Sequence, residues 1–362
     1  MKKDIIWIKY TSITTVLIIL AITIFNYRVD SLGIFGNSNY LLDGAKAITN
    51  GKIIAGLKNY DERAFQKLII QNLNDKNDII AIGSSRSLQI RKRFITSNNK
   101  NFFNHSVTGA ILDDYIAIIG AYEKIAKYLP KTIILGIDPW IFNKNSEHNK
   151  WKSIEDYYNF ELSQIYHQKQ QNSIKINTAK WKQLINYDYT ITNIKFFKTL
   201  LANNGKAFYI VNSTDIDDTI KDIDGSRYYE YKRRYIKPNL VLKKAKKYTE
   251  GKVYLLSNYT KLSNIKLFED FIKHLKSKDV NVIFYLPPYH PLTYDILSKN
   301  SKYKYIDIVE RYLKDFAKEM DINVKGSYNP HIYNFKNSDF SDGMHSHDVV
   351  AKMILNKNCN IK

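Results

Sequence analysis

The stretch NDIIAIGSSRSLQI, residues 77–90, joins four consecutive apolar residues to a glycine and a knot of serines. Ile79-Ile80-Ala81-Ile82 is short, β-branched and apolar on both faces, which predicts a strand buried on both sides. Its abrupt end in Gly83-Ser84-Ser85-Arg86-Ser87 has two readings. One is a plain turn. The other is a nucleophile held at the C-terminal end of a sheet strand, where glycine permits the tight turn and backbone N–H groups converge on the serine. A serine hydroxyl needs a histidine to take its proton and a third group to orient that histidine. By itself the turn is the simpler reading, so the partners have to be found elsewhere.

Working outward, DERAFQKLIIQNL (61–73) predicts a helix before the strand, and a short strand is expected near KNFFNHSV after it. The helix DDYIAIIGAYEKIAKYL (113–129) follows, stopped by Pro130, and then the all-apolar strand TIILGI (132–137). From Trp140 to about Thr260 this rhythm breaks, and about 141–260 reads as a helical insertion or cap. The rhythm returns with helix 266–278, strand 280–286, helix 305–320, the short strand INVKG and a last helix from Asp348. Apolar strands alternating with helices predict an α/β fold with a mostly parallel sheet covered by helices.

The partners are in the loop before that last helix. Asp342-Gly343-Met344-His345 sets a carboxylate three residues before an imidazole, so one short loop can present both, with Asp342 orienting His345. His347 is a second candidate base. The His345-Ser346-His347 pair lacks further ligands at recognisable spacing, so no metal is expected there. The bland alternative is that Asp342 caps a turn.

Taken in order, these blocks resemble the SGNH hydrolases, the GDSL-like esterases and acyltransferases. Gly83-Ser84-Ser85 stands where the family has Gly-Asp-Ser, which implies Ser85 as nucleophile. Ser84 in place of the aspartate is a variation associated with membrane-anchored envelope members. Asn104-His105-Ser106-Val107-Thr108-Gly109 resembles the second block, implying an oxyanion-hole role for Gly109 beside the Ser85 N–H. Asp342 and His345 match the last block, completing a Ser85–His345–Asp342 triad. The third block departs: Gly136-Ile137-Asp138-Pro139 places Asp138 where the family has an asparagine that donates to the oxyanion. A carboxylate cannot donate, so either the backbone N–H groups suffice or another side chain serves. The likeness spans roughly 78–140 and 266–355 and implies a three-layer α/β/α sandwich.

The N-terminus and the charge suggest where such a protein works. Tyr10 to Tyr27 is eighteen residues without a charge, close to the ~20 needed to cross a bilayer. Lys2, Lys3 and Lys9 precede it, and Trp7, Tyr10 and Tyr27 sit where interfacial aromatics would. The expectation is a cytoplasmic N-terminus at 1–9, an uncleaved signal anchor at 10–27, a connector and first helix at 28–75, and an extracytoplasmic SGNH-like domain from 76 to 362. Lys and Arg number 55 against 35 Asp and Glu, a net charge of +20. One reading of this is an AT-rich coding bias, which favours Lys, Asn, Ile and Tyr; the other is attraction to an anionic partner such as a membrane surface, a charged polysaccharide or nucleic acid. Residues 226–250 carry nine Lys or Arg against two Glu, with five tyrosines interleaved. They read as a solvated helix face or as a surface for an anionic glycan or headgroups.

The single cysteine, Cys359, excludes an intrachain disulfide and a cysteine-rich metal site. No cofactor is called for, and a nucleic-acid partner is disfavoured because the span puts the basic segment outside the cytoplasm. The resemblance, with this topology, implies acyl transfer to a cell-surface polysaccharide beside a polytopic membrane acyltransferase. A carbohydrate esterase on the same triad and a non-catalytic assembly protein on the same scaffold are the alternatives.

Overall fold

The computed structural model describes residues 2–36, 39–95, 100–146, 148–168, 178–251, 253–256 and 258–356; Cys359 lies outside them. Nine strands occur in this part of the chain: β1 (Ile53–Ala55), β2 (Ile79–Gly83), β3 (Phe102–Asn104), β4 (Thr132–Gly136), β5 (Tyr209–Val211), β6 (Ile220–Lys221), β7 (Arg227–Tyr228), β8 (Asn281–Leu286) and β9 (Asn323–Gly326). Five of them form a wholly parallel sheet in the order β3-β2-β4-β8-β9. The fold is therefore α/β around a parallel sheet.

Side chains along each central strand alternate between two cores, as the pleat requires. Ile80 and Ile82 of β2, Ile133 and Leu135 of β4, and Val282, Phe284 and Leu286 of β8 enter one core. Helices Leu112–Ala121, Ile265–Ser277 and Tyr305–Glu319 close that face with Tyr115, Phe268, Phe271, Val309 and Leu313. Ile79, Ala81, Ile134, Ile283 and Tyr285 enter the other core, with Val350 and Ile354 of the last helix and Val241 of helix Pro238–Glu250. Burial on both faces explains why these strands read as continuous apolar runs.

The expected division into connector and helical insertion needs correction. The remaining four strands form a second, antiparallel sheet in the order β5-β1-β6-β7. β1 comes from the stretch expected to be a connector, and β5 to β7 come from the stretch expected to be helical. Ile54 and Leu57 pack with Leu41, Ile48, Phe65 and Ile69, so residues 40–71 share one core with β1. Strands of two or three residues are too short to show a period-two pattern, which is why the sequence reading missed them. Within 226–250, Arg227–Tyr228 is strand and only Pro238–Glu250 is a long helix.

The N-terminal helix runs Lys2–Val29, earlier in its start and longer than the expected 10–27. The most apolar 18 residues within Asp4–Val29 have a mean hydropathy of 2.0, and the segment is long and apolar enough to cross a membrane. At 1.5 Å per residue its 28 residues span about 42 Å, more than a hydrocarbon core of ~30 Å. Its last turn is held by buried amides. Asn26 Nδ2 donates to the Leu184 carbonyl and to Thr190 Oγ1, both at 2.8 Å, and Asn193 Nδ2 donates to Asn26 Oδ1 at 2.9 Å. The Ser31 N–H donates to Asn193 Oδ1 at 2.9 Å. The helix end is thus docked on helix Tyr187–Ala202.

Candidate active site

The parallel register sets Ser85, Gly109 and Asp138 at one edge of the sheet. Gly83 pairs with Gly136 across β2 and β4. On the other side the Val107 N–H donates to the Gly83 carbonyl at 2.9 Å, extending the β2–β3 ladder. Ser85, Gly109 and Asp138 each lie two residues beyond that level. They share the C-terminal edge, where open α/β sheets place their ligand crevices.

Glycine is required at the exit of β2 and β4. A Cβ on Gly136 would run into the Ser87 hydroxyl, and one on Gly83 would meet Ser87 Cβ at 2.8 Å. Ser87 therefore folds back over the strand ends, and its N–H donates to the Ser84 carbonyl at 3.0 Å, closing the turn that carries Ser85. Asn104 holds the same turn from β3: its Nδ2 donates to the carbonyls of Ser87 (2.8 Å) and Ile90 (2.9 Å). Ser84 is buried, and its Oγ accepts from the Arg86 N–H at 3.1 Å.

Ser85 Oγ lies 2.9 Å from His345 Nε2, across 260 residues of sequence. His345 Nδ1 lies 2.9 Å from Asp342 Oδ2 and 3.0 Å from Oδ1. Asp342 Oδ1 also accepts the N–H groups of Met344 and His345, each at 2.9 Å. The aspartate therefore caps the turn and faces the imidazole at the same time. Burial by itself would raise the Asp342 carboxyl. The adjoining His345, Arg233 and the Met344 N–H outweigh burial and hold it well below the usual carboxylate range. With an acceptor-only carboxylate at Nδ1, the proton sits on Nδ1 and Nε2 is free to accept from the Ser85 hydroxyl. The backbone N–H of His347 donates to the Asp339 carbonyl at 2.7 Å, and the imidazole at the Ser85 hydroxyl is that of His345.

Gly109 is buried and has φ +65°, a conformation suited to glycine, and a Cβ there would collide with the Tyr254 hydroxyl. The His148 Nε2–H donates to its carbonyl at 2.7 Å. Among the described residues neither the Ser85 nor the Gly109 N–H is used in a backbone hydrogen bond.

Asp138 needs correction as an oxyanion-hole residue. It is fully buried, and its Oδ1 accepts from Arg86 Nη1 at 2.7 Å, an ion pair. Burial raises this carboxyl, and Arg86 opposes the rise. Arg86, to which the sequence assigned no role, has three further contacts. Its Nε donates to the Met344 carbonyl at 3.0 Å, its Nη2 donates to the Pro287 carbonyl at 2.6 Å, and its guanidinium lies 4.0 Å from the Tyr289 ring centre. Arg86 thus joins the serine turn, the ends of β4 and β8, and the loop of His345. Gln89 Nε2 donates to the Ser346 carbonyl at 2.6 Å, and Arg91 Nε reaches Asp348 Oδ2 at 3.1 Å, continuing the same seam.

The basic segment borders this site. Arg233 Nη2 is 3.6 Å from Asp342 Oδ2, and Tyr248 lies against Gly343. Lys243, Lys244 and Lys247 on the same helix are exposed.

The chain matches no protein-family model, and no curated protein matches it.

Proposed function

We propose that this protein is a membrane-anchored, extracytoplasmic serine acyltransferase of the SGNH type, acting on a cell-surface polysaccharide. The observation that carries the reading is the hydrogen-bonded chain from Ser85 through His345 to Asp342 at the edge of a parallel sheet. Helices over both sheet faces are compatible with the three-layer α/β/α sandwich of that superfamily.

In this reading Ser85 Oγ attacks an ester carbonyl while its proton passes to His345 Nε2. Asp342 stabilises the imidazolium that forms. The Ser85 and Gly109 N–H groups receive the oxyanion, where a single donor is worth ~10²–10³ in rate. The tetrahedral species collapses, the leaving alcohol takes the proton from His345, and an acyl-Ser85 ester remains. A sugar hydroxyl then gives its proton to His345, attacks the acyl carbon and releases Ser85. Asp138 takes no direct part. Its pairing with Arg86 removes a bare negative charge from the oxyanion's surroundings, which weakens the case for a non-catalytic scaffold.

Arg233 beside Asp342 and the exposed lysines of the helix that carries Tyr248 favour an anionic glycan as acceptor, and Tyr248 at the rim offers a ring for a sugar face. Helix Lys2–Val29 serves as the single-span anchor, with the N-terminus cytoplasmic. Exposed Trp181, Ile185, Phe197 and Leu201, beside the docked end of that helix, would lie at the bilayer interface, near a polytopic membrane partner that donates the acyl group.

The test uses full-length protein in detergent with p-nitrophenyl acetate as donor and an acidic oligosaccharide as acceptor. Acetylated oligosaccharide formed by wild type and absent with Ser85→Ala supports transfer. Acetate release alone, equally dependent on Ser85, would replace it with the esterase reading.

A further inference from the structure

Three side chains outside the candidate active site converge at the opposite edge of the sheet. Glu123 lies in the π-helical segment Tyr122–Ala126, Glu161 in helix Glu155–Ile165 and His274 in the last turn of helix Ile265–Ser277. The neighbouring Tyr122 hydroxyl accepts from Asn77 Nδ2 at 2.8 Å, just before β2 begins, and helix Ile265–Ser277 leads into the start of β8. The cluster therefore sits at the N-terminal edge of the strands, away from Ser85.

Glu161 is fully buried and His274 is 8% exposed. Both Glu161 carboxylate oxygens and His274 Nε2 lack a hydrogen-bond partner among the described residues. Leaving such groups unmet is costly, so this buried pair, with the half-buried Glu123 beside it, calls for a ligand. The spacing indicates which. His274 Nε2 is 3.4 Å from Glu161 Oε1 and 3.7 Å from Glu123 Oε1, and the three ligand atoms all lie within 4.8 Å of one another. A protonated histidine serving only as an ion-pair partner would close to about 2.7–2.9 Å on one carboxylate. Two ligands on a tetrahedral ion with ~2.0–2.1 Å bonds instead stand about 3.3 Å apart.

Local backbone features bring the trio together. Gly120 has no Cβ, and one there would overlap the Tyr157 carbonyl oxygen, so helix Glu155–Ile165 can press against the helix that carries Gly120. The π-helical turn then sets Glu123 toward it; such turns recur at functional sites. His274 also lines a cleft of about 450 Å³ with Tyr166, Asp270, Lys266, Lys273 and Lys278.

We propose that Glu123, Glu161 and His274 form a binding site for a divalent transition-metal ion, with zinc the best match to one imidazole and two carboxylates and a water completing the shell. A bound cation offsets the cost of burying Glu161 beside Glu123 and fastens the start of the inserted segment to two helices of the sheet-covering layer. The site does not depend on the acyl-transfer reading.

The test is a Zn²⁺ titration of chelator-stripped, full-length protein in detergent, with Co²⁺ as a spectroscopic probe. One tightly bound Zn²⁺ per chain is expected, with a higher melting temperature and the visible bands of a four- or five-coordinate Co²⁺ site. Glu161→Gln, nearly isosteric, lowers the affinity at least tenfold, and His274→Ala removes the Co²⁺ bands, while His345→Ala retains both. Absence of stoichiometric uptake by the wild-type protein, or uptake unchanged in both Glu161→Gln and His274→Ala, overturns the proposal.

Discussion

Arg86 Nε donates to the carbonyl of Met344, so the residue after Ser85 holds the residue before His345. The same guanidinium pairs with Asp138. A single side chain thus sets the distance between serine and imidazole and neutralises the carboxylate at the end of β4.

Arg86→Lys keeps the charge but loses the planar fork that reaches three acceptors at once. Ester turnover by this variant is expected to fall roughly ten- to hundredfold, the scale of a 1 Å misplacement of catalytic groups, with little change in donor KM. A KM-dominated loss would mean that Arg86 binds substrate instead.

Arg86→Met leaves Asp138 buried without its cation, a defect that costs about 3–5 kcal/mol. Its melting temperature should drop sharply, and adding Asp138→Asn should restore part of the loss. Equal melting temperatures for the single and double variants would show that the two residues are not coupled.

These contacts show why Arg86 was opaque in the sequence while its neighbours were not. Ser85 and the Asp342–His345 pair are local patterns, a strand end and a three-residue spacing, and can be read from adjacent residues. Arg86 meets Asp138, Pro287 and Met344, which are distant in sequence and adjacent only through the order β2-β4-β8. The same reason hid Glu123, Glu161 and His274. The parallel sheet was legible because burial on both faces leaves unbroken apolar runs. The small sheet was not, since Ile53–Ala55 and Ile220–Lys221 find their partners only after the chain has folded.

Asp342 carries a pH signature. Its folded carboxyl is held below the ordinary value of ~3.9, so its stabilising contribution is complete above that value. The contribution is lost as pH falls through the depressed folded value. The melting-temperature gap between wild type and Asp342→Asn should therefore shrink as pH falls below about 4. A gap that stays constant from about pH 5 down to the acid limit of folding would contradict this environment for Asp342.

Gly136 is predicted to tolerate no side chain while Ser87 is present. Gly136→Ala forces its Cβ against the Ser87 hydroxyl and should destabilise by about 1–3 kcal/mol. Ser87→Ala in the same chain should recover part of that, measurable by denaturant midpoint. No recovery would place the strain elsewhere, in the backbone.

Asn193 bridges Asn26 and Ser31 from a fully buried position. Asn193→Ala unmakes the bonds to both residues and is expected to cost about 1–3 kcal/mol locally, loosening the end of helix Lys2–Val29 from the folded domain. Limited proteolysis should then cut more rapidly near residues 30–36, with cleavage elsewhere unchanged. An unchanged digestion pattern would argue that other contacts dock the helix.

The central claim is that Ser85 is a nucleophile activated by His345. Its most direct test is labelling of full-length protein with a fluorophosphonate, followed by intact-mass measurement. Wild type should gain one phosphonyl adduct on Ser85, Ser84→Ala should label like wild type, and His345→Ala should label far more slowly. No adduct on the wild type, or undiminished labelling of Ser85→Ala, would contradict the account.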